Sequence, residues 1–418
     1  MTAVQDDTRT GGLWRDAGRS LLFSAIIVLA TITIDCTRFG QEIEFLGYKI
    51  VQARLVPRDV PVTVIDIAGL AARPGVATPR KTLEEAIEAI ADQQPSAIGV
   101  DIDFSPDEQG YLHPNDPSFF QFCLDTASRK GVPIFLGIGR TVLKPRAEWL
   151  GSGSYQKLAA NIIIPIDVRR MMKDIRVEGE YAFPARSMAA VLAESHGQSN
   201  RSAFAGSLEK LGLVENLSTR ALGSGLTLRE FWIDYSSINN IKVIRTTNPE
   251  VLRDESQREQ LEHKIVLLGD ASGNFGDRFH VRGRDYPGVM LHACAAYTLV
   301  SGPLYIVTTS GRLAIDTICI LLVLATVTVI RYFYDRGGDR TVAGHRLKVM
   351  FTIILILIPL GVGVAFVRGT RILWNDFLLG AAALLLHPSI EHRLSAIWSA
   401  VRGVLPRIVF EKGKKHPR

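Results

Sequence analysis

Asp66, Asp101 and Asp103 stand at or just beyond the ends of two short apolar runs, Val62–Asp66 (VTVID) and Ala97–Ile102 (AIGVDI). Runs of this length, rich in β-branched residues, read as buried strands. In an open α/β sheet, ligands bind in the crevice beyond the carboxyl ends of the strands. Two such strands side by side bring Asp66 close to Asp101 or Asp103. Carboxylates held together repel, so they need a cation, a proton or a basic partner. Mg2+ or Ca2+ fits that need, since hard cations prefer oxygen ligands, and Asp66, Asp101 and Asp103 form a candidate metal set. The structural alternative is that these acids cap the next helix or pair with Arg80 or Arg278.

A second set of polar residues follows the run Lys264–Gly269 (KIVLLG). The loop Gly269-Asp270-Ala-Ser-Gly-Asn274-Phe-Gly-Asp277-Arg278 leaves backbone amides open at its glycines. That suits an anion or a polar ligand; a tight crossover loop held by Asp277 is the plainer reading. Asp270, Asn274, Asp277 and Arg278 are therefore candidate ligand contacts. His292, in MLHACAAYTL, and His113, in YLHPNDPSF, could reach the same crevice, or serve as a core histidine and a loop histidine. No Gly-Lys-Ser/Thr follows the glycines, so the loop is not a phosphate-binding Walker loop. Gly-x-Ser-x-Gly and His-Glu-x-x-His are also missing, so hydrolase templates find no anchor.

These residues need a frame. Apolar runs at Val62–Asp66, Ala97–Ile102, Val132–Ile138, Ile162–Ile166 and Lys264–Gly269 predict strands covered on both faces. Helical patterns alternate with them. Thr82–Asp92 places Leu83, Ala86, Ile87 and Ile90 on one face, and Phe119–Lys130, Arg186–Glu194 and Met290–Ser301 are similar. Strand–helix–strand–helix–strand over 62–138 implies right-handed parallel crossovers. The expected fold is an α/β domain, a mostly parallel sheet flanked by helices. Residues 140–160 and 198–228 are Ser/Gly-rich and read as surface insertions.

In this order, VTVIDI, SAIGVDIDFSPD, KIVLLGDASGNFGDRF and PGVMLHACAAYTLVSG resemble the type-2 CHASE domain, over residues 38–305. That family is an extracellular sensory domain found on bacterial adenylate cyclases, histidine kinases and Ser/Thr kinases. The resemblance implies a sensory, ligand-binding role without catalysis, and a rim function for the glycine loop. Asp270 departs from the small residues the family shows after this strand. Family members often continue into a cytoplasmic output domain; here the chain closes soon after its last apolar stretch, so a separate membrane or cytoplasmic partner is expected to carry the signal.

Four apolar stretches, Ser20–Ile34, Leu313–Ile330, Val349–Val367 and Ile372–Leu386, predict four transmembrane helices. The two short ones span if Arg19 and Arg371 snorkel to the headgroups. The first lacks a small-x-small cleavage site, so it reads as a retained anchor. Loop 331–348 holds five Lys/Arg and the tail 387–418 holds seven, while the connection 368–371 holds two. Basic loops stay inside. Both termini are then cytoplasmic and the large domain lies outside a cell inner membrane. The expected organisation is a cytoplasmic segment 1–19, a first span 20–35, an extracytoplasmic domain 36–305, three spans in 306–388, and a tail 389–418. In that tail Ile390, Leu394, Ile397, Trp398, Val401, Val404 and Leu405 share one helical face above the basic 412–415 cluster. Such a helix lies on lipid or on a partner.

The net charge of +6 is uneven. Residues 306–418 hold 15 basic and 6 acidic side chains, residues 1–35 hold 3 and 4, and 36–305 is left at −2. The basic character therefore belongs to the membrane region, and the domain has no electrostatic footprint for nucleic acid. Cys123 and Cys294 either pair in an oxidising compartment or are two buried thiols. Function classes left open are a sensory or binding module, as a single chain or a homo-oligomer, for a small molecule, ion or protein; a metal-dependent hydrolase built on the clustered Asp residues; and a docking subunit of a membrane complex.

Overall fold

The computed structural model describes residues 48–49, 60–70, 78–107, 111–139, 157–165, 168–177, 186–197, 203–223, 226–272, 277–281, 283–315, 317–318 and, with single gaps, 361–373. The stretches 20–34, 319–330 and 349–360 and the tail lie outside the described residues. Among the described residues no helix is long and apolar enough to cross a membrane. The chain divides into two compact units. One comprises Val51–Val307 with Thr370–Ile372 and holds the sheet; the other comprises Met1–Ile50, Thr308–Gly369 and Leu373–Arg418.

The core of the first unit is a six-stranded sheet. It uses β1 (Val62–Asp66), β2 (Ala97–Val100), β3 (Ile134–Ile138), β4 (Ala159–Asn161), β9 (Lys242–Arg245) and β10 (Ile265–Gly269), in the order β4-β3-β2-β10-β1-β9. Every neighbouring pair is parallel. β1, β2 and β10 are buried at every position, as their near-continuous apolar runs require when helices cover both faces. α1 (Arg80–Asp92) and α2 (Asp116–Lys130) lie on one face. There Ile65, Ile98, Val100, Val266 and Leu268 join Leu83, Ile87, Ile90, Phe119 and Cys123 in one apolar cluster. The opposite face carries α3 (Met188–His196) and α6 (Gly288–Ser301), which pack on each other. Gly99 marks this face: a β-carbon there would sit 2.9 Å from both Leu192 and Met188 of α3. The two-residue period of the strands thus sends Ile98 one way and Gly99 the other.

Helix ends follow from local residues. The Ser187 side chain accepts the Ala190 N–H at the start of α3. α2 has Pro117 in its first turn and closes on Gly131 at φ 71, the left-handed cap that glycine adopts without strain.

Two expectations change. Residues 198–228 are not a plain insertion. They contain α4 (Ala203–Lys210), β6 (Val214–Glu215), β7 (Ser218–Gly223) and the start of β8 (Leu226–Trp232). β8 pairs antiparallel with β7 and with β5 (Arg170–Val177), in the order β5-β8-β7. A half-exposed ribbon gives a mixed polar pattern, so these strands read as loop. The fourth parallel strand is Ala159–Asn161 rather than Ile162–Ile166. It pairs with Leu136–Ile138 of β3, after which the Asn161 side chain accepts the Ile163 N–H and the chain leaves the sheet. A short helix, α5 (Glu255–Leu261), leads into β10. A hairpin, β11 (Arg278–Val281) with β12 (Arg284–Pro287), leads into α6. Finally β13 (Tyr305–Val307) lies between β6 and β14 (Ile372–Leu373).

Cys123 and Cys294 are free and buried. Cys123 belongs to α2 and Cys294 to α6, so the sheet stands between them, and burial pushes the Cys123 thiol up.

Candidate crevice at the carboxyl end of the sheet

Connections leaving β1 and β2 turn to the face of α1 and α2, and the one leaving β10 turns to the face of α6. β10 lies between β1 and β2. The chain therefore diverges to opposite faces on both sides of β10, and a crevice opens beyond these three strand ends. Asp66, Asp101 and Asp270 all stand there.

The intervening β10 corrects the expectation that the strands of Asp66 and Asp101 are neighbours. Their acids have separate environments. Asp66 accepts the N–H groups of Ala68 and Ala271, each at 3.1 Å, and lies 3.7 Å from the exposed Arg245. It ties the exit of β1 to the loop after β10. Asp103 accepts the N–H groups of Ser105 and Gly139, each at 2.9 Å, joining the exits of β2 and β3. Asp270 closes a local turn through the N–H and hydroxyl of Ser272. Among the described residues no group of three His, Cys, Asp or Glu side chains could hold a metal ion. Arg80 pairs with Asp116 at 2.8 Å and lies 4.4 Å over the Phe104 ring, so it serves none of the three acids. Asn274 lies outside the described residues. Arg278 opens β11 and is exposed. His113 is exposed, and its Nδ1 accepts the Asn115 N–H at 3.4 Å.

Asp101 is different. Its N–H continues the ladder to Leu268 O at 2.7 Å, which fixes the side chain toward the face of α6. There His292 meets it, with Nε2 3.8 Å from the carboxylate. The same nitrogen is 3.2 Å from Ile162 O, a contact that requires a proton on Nε2. His292 is 1% exposed and its Nδ1 has no hydrogen-bond partner among the described residues. Burial raises the Asp101 carboxyl, opposed by His292 and reinforced by Asp277. Burial also raises Asp277, which is opposed by His292 and by the Gly288 N–H and reinforced by Asp270. Asp101, His292 and Asp277 thus share one electrostatic neighbourhood.

Asp277 is held there by α6. Pro287 occupies the N-cap and offers no side-chain acceptor, so another group must meet the first amides of the helix. Gly288 N–H donates to the Asp277 carbonyl at 3.1 Å, with the carboxylate beside it. A β-carbon on Gly288 would lie 2.0 Å from that carboxylate. The Pro287-Gly288 pair is the sequence signal for this contact. Two cavities lie elsewhere, around the β5-β8-β7 sheet. One is about 350 Å3 and lined by Glu209, Asn216 and Arg229; the other is about 390 Å3 and lined by Lys173, Glu194, Phe231 and Leu299. Neither cavity is lined by Asp66, Asp101, Asp277 or His292.

No curated relative and no solved structure matches the chain. The family model described as the CHASE2 domain matches residues 24–329, most of the chain and all of the parallel sheet. Matched over most of its length, the chain belongs to the CHASE2 family of sensory domains.

Proposed function

We propose that this protein is a membrane-anchored, extracytoplasmic sensor. It binds a small ligand in the crevice and passes the signal through its membrane segments to a separate partner. Family membership supports the sensory role. The observation that carries the site is the buried His292, its Nε2 3.8 Å from the Asp101 carboxylate, where the chain diverges on both sides of β10 and Asp277 meets the first turn of α6. Two carboxyls beside one imidazole offer acceptors for a small ammonium or guanidinium compound, whereas no metal-holding group of three such side chains is present among the described residues. With Asp66 and Asp103 engaged by backbone amides, the ligand contacts fall to this trio. The reading is one of binding without turnover, in line with the sensory role of the family.

Thermal unfolding of the full chain with a panel of small amines and guanidines tests it. A ligand of this class raises the melting temperature in proportion to the logarithm of its concentration, and Asp101→Asn abolishes the rise. A panel without effect sinks the proposal. So does a shift that survives in both Asp101→Asn and Asp277→Asn.

A further inference from the structure

Thr370–Ile372 belong to the same compact unit as Val51–Val307, although residues 308–369 intervene. The attachment is specific. The Arg371 carbonyl accepts the Tyr305 N–H at 2.9 Å. One terminal nitrogen of its guanidinium donates to Ser301 O at 2.7 Å and to the Ser301 hydroxyl at 2.9 Å. The other donates to the Asp234 carboxylate at 2.9 Å. Asp234 is 0% exposed and Arg371 8%, so Arg371 is built into the domain rather than snorkelling to headgroups as the sequence suggests. Asp234 also accepts the Ser236 N–H at 3.0 Å, capping the short turn Tyr235–Ser237, and its own N–H donates to the Thr298 hydroxyl at 2.8 Å. Arg371 holds φ 61, a conformation a non-glycine residue keeps only where its surroundings fix it.

A buried ion pair gains little stability over apolar residues of similar size, because both charges are desolvated. Its best-attested use is to fix register, since breaking one partner strands the other charge. Thr298 and Ser301 stand on the last turn of α6, whose first turn holds Gly288 against Asp277 and whose second brings His292 to Asp101. The 14 residues of α6 span about 20 Å. One helix therefore has the crevice at one end and the Arg371 grip at the other.

We infer that the Arg371–Asp234 pair is the joint through which the sensory domain holds and moves the segment 370–372, with α6 as the link from the crevice. The link rests on the crevice being the sensory site; the grip does not. Arg371 is a positioning residue, and it couples binding to the two apolar stretches that flank it in sequence.

Hydrogen exchange on the full chain in lipid nanodiscs tests this, read at the Tyr305 amide with the amides of Val266 and Leu267 as the internal control. Asp234→Asn speeds exchange at Tyr305 about tenfold or more, because Arg371 loses its counter-charge, and leaves β10 unchanged. Asp101→Asn, at the far end of α6, changes the same amide by about threefold through linkage. Unaltered exchange at Tyr305 in Asp234→Asn overturns the grip. A change there with none in Asp101→Asn overturns the link through α6. If Asp234→Asn also loosens β10, Ser301→Ala is read instead, and unaltered exchange in that variant overturns the grip. Failure of ligand binding shows separately, in the melting shifts of the full chain.

Discussion

Asp101 shows how position assigns a role to a residue type. Four strand-end or loop acids share the same rim, yet Asp66, Asp103 and Asp270 accept backbone N–H groups within 3.1 Å and are thereby committed to holding loops. Asp101 has instead a buried imidazole 3.8 Å away. Because burial is the largest influence on it, its carboxyl keeps a proton more firmly in the folded protein than in the unfolded chain. The folded state then binds more protons, so this group's contribution to stability is greatest below the unfolded carboxyl range, near pH 4, and is lost as the pH climbs toward the raised folded value. Asp101→Asn removes that loss. Its melting temperature should exceed that of the wild type at pH 7, and the difference should shrink toward zero near pH 3.5, measured by thermal unfolding of the full chain. A constant difference at both pH values would show that the carboxyl is not held protonated by burial.

At the scale of elements, two glycines separate close approach from backbone conformation. Gly269 ends β10 beneath α6, where a β-carbon would lie 2.7 and 2.9 Å from the Val289 side chain. Gly131 closes α2 at φ 71 with open space around it. Gly269→Ala must push α6 from the sheet and should cost about 1–3 kcal/mol, as overpacked cores do. It should also weaken ligand binding, since Val289 lies three residues before His292. Gly131→Ala carries only the left-handed penalty of about 1–2 kcal/mol and should leave binding untouched. Denaturant unfolding with ligand titration distinguishes the two. Equal effects of both variants on binding would mean that α6 does not position the crevice.

Across the whole molecule, the sheet-bearing unit and the apolar stretches pose different questions. The four-span arrangement is drawn from the Lys/Arg distribution, five in loop 331–348 against two in 368–371. Cysteines placed in 331–348 should resist an impermeant thiol reagent in intact cells and react after permeabilisation. Glu255→Cys provides the outer control, because that side chain is 81% exposed on the domain. Cys123 and Cys294 are buried and contribute no background, and the other two cysteines, Cys36 and Cys319, are replaced by Ser in the labelled chain. Labelling of 331–348 without permeabilisation would overturn the arrangement, and with it the reading of 370–372 as an outer segment.

The parallel core was legible because it is coded locally. VTVID, AIGV and IVLLG are near-continuous apolar runs, and Leu83, Ala86, Ile87 and Ile90 repeat at the helical period, so strands covered by helices follow from the local pattern. The acids at their ends were legible for the same reason. The β5-β8-β7 ribbon was not, because a half-exposed strand buries too few side chains to write an apolar run. Order within the sheet was also hidden: only the fold inserts β10 between β1 and β2, which parts Asp66 from Asp101 and gives Asp101 to His292. Arg371 is the clearest case. Beside an apolar stretch its sequence context points to lipid headgroups, but hydrogen bonds to Asp234 and Ser301 are long-range facts. Local sequence sets the period and burial of each element, whereas the partner of a buried charge is set by which distant elements the chain brings together, and that is decided only in three dimensions.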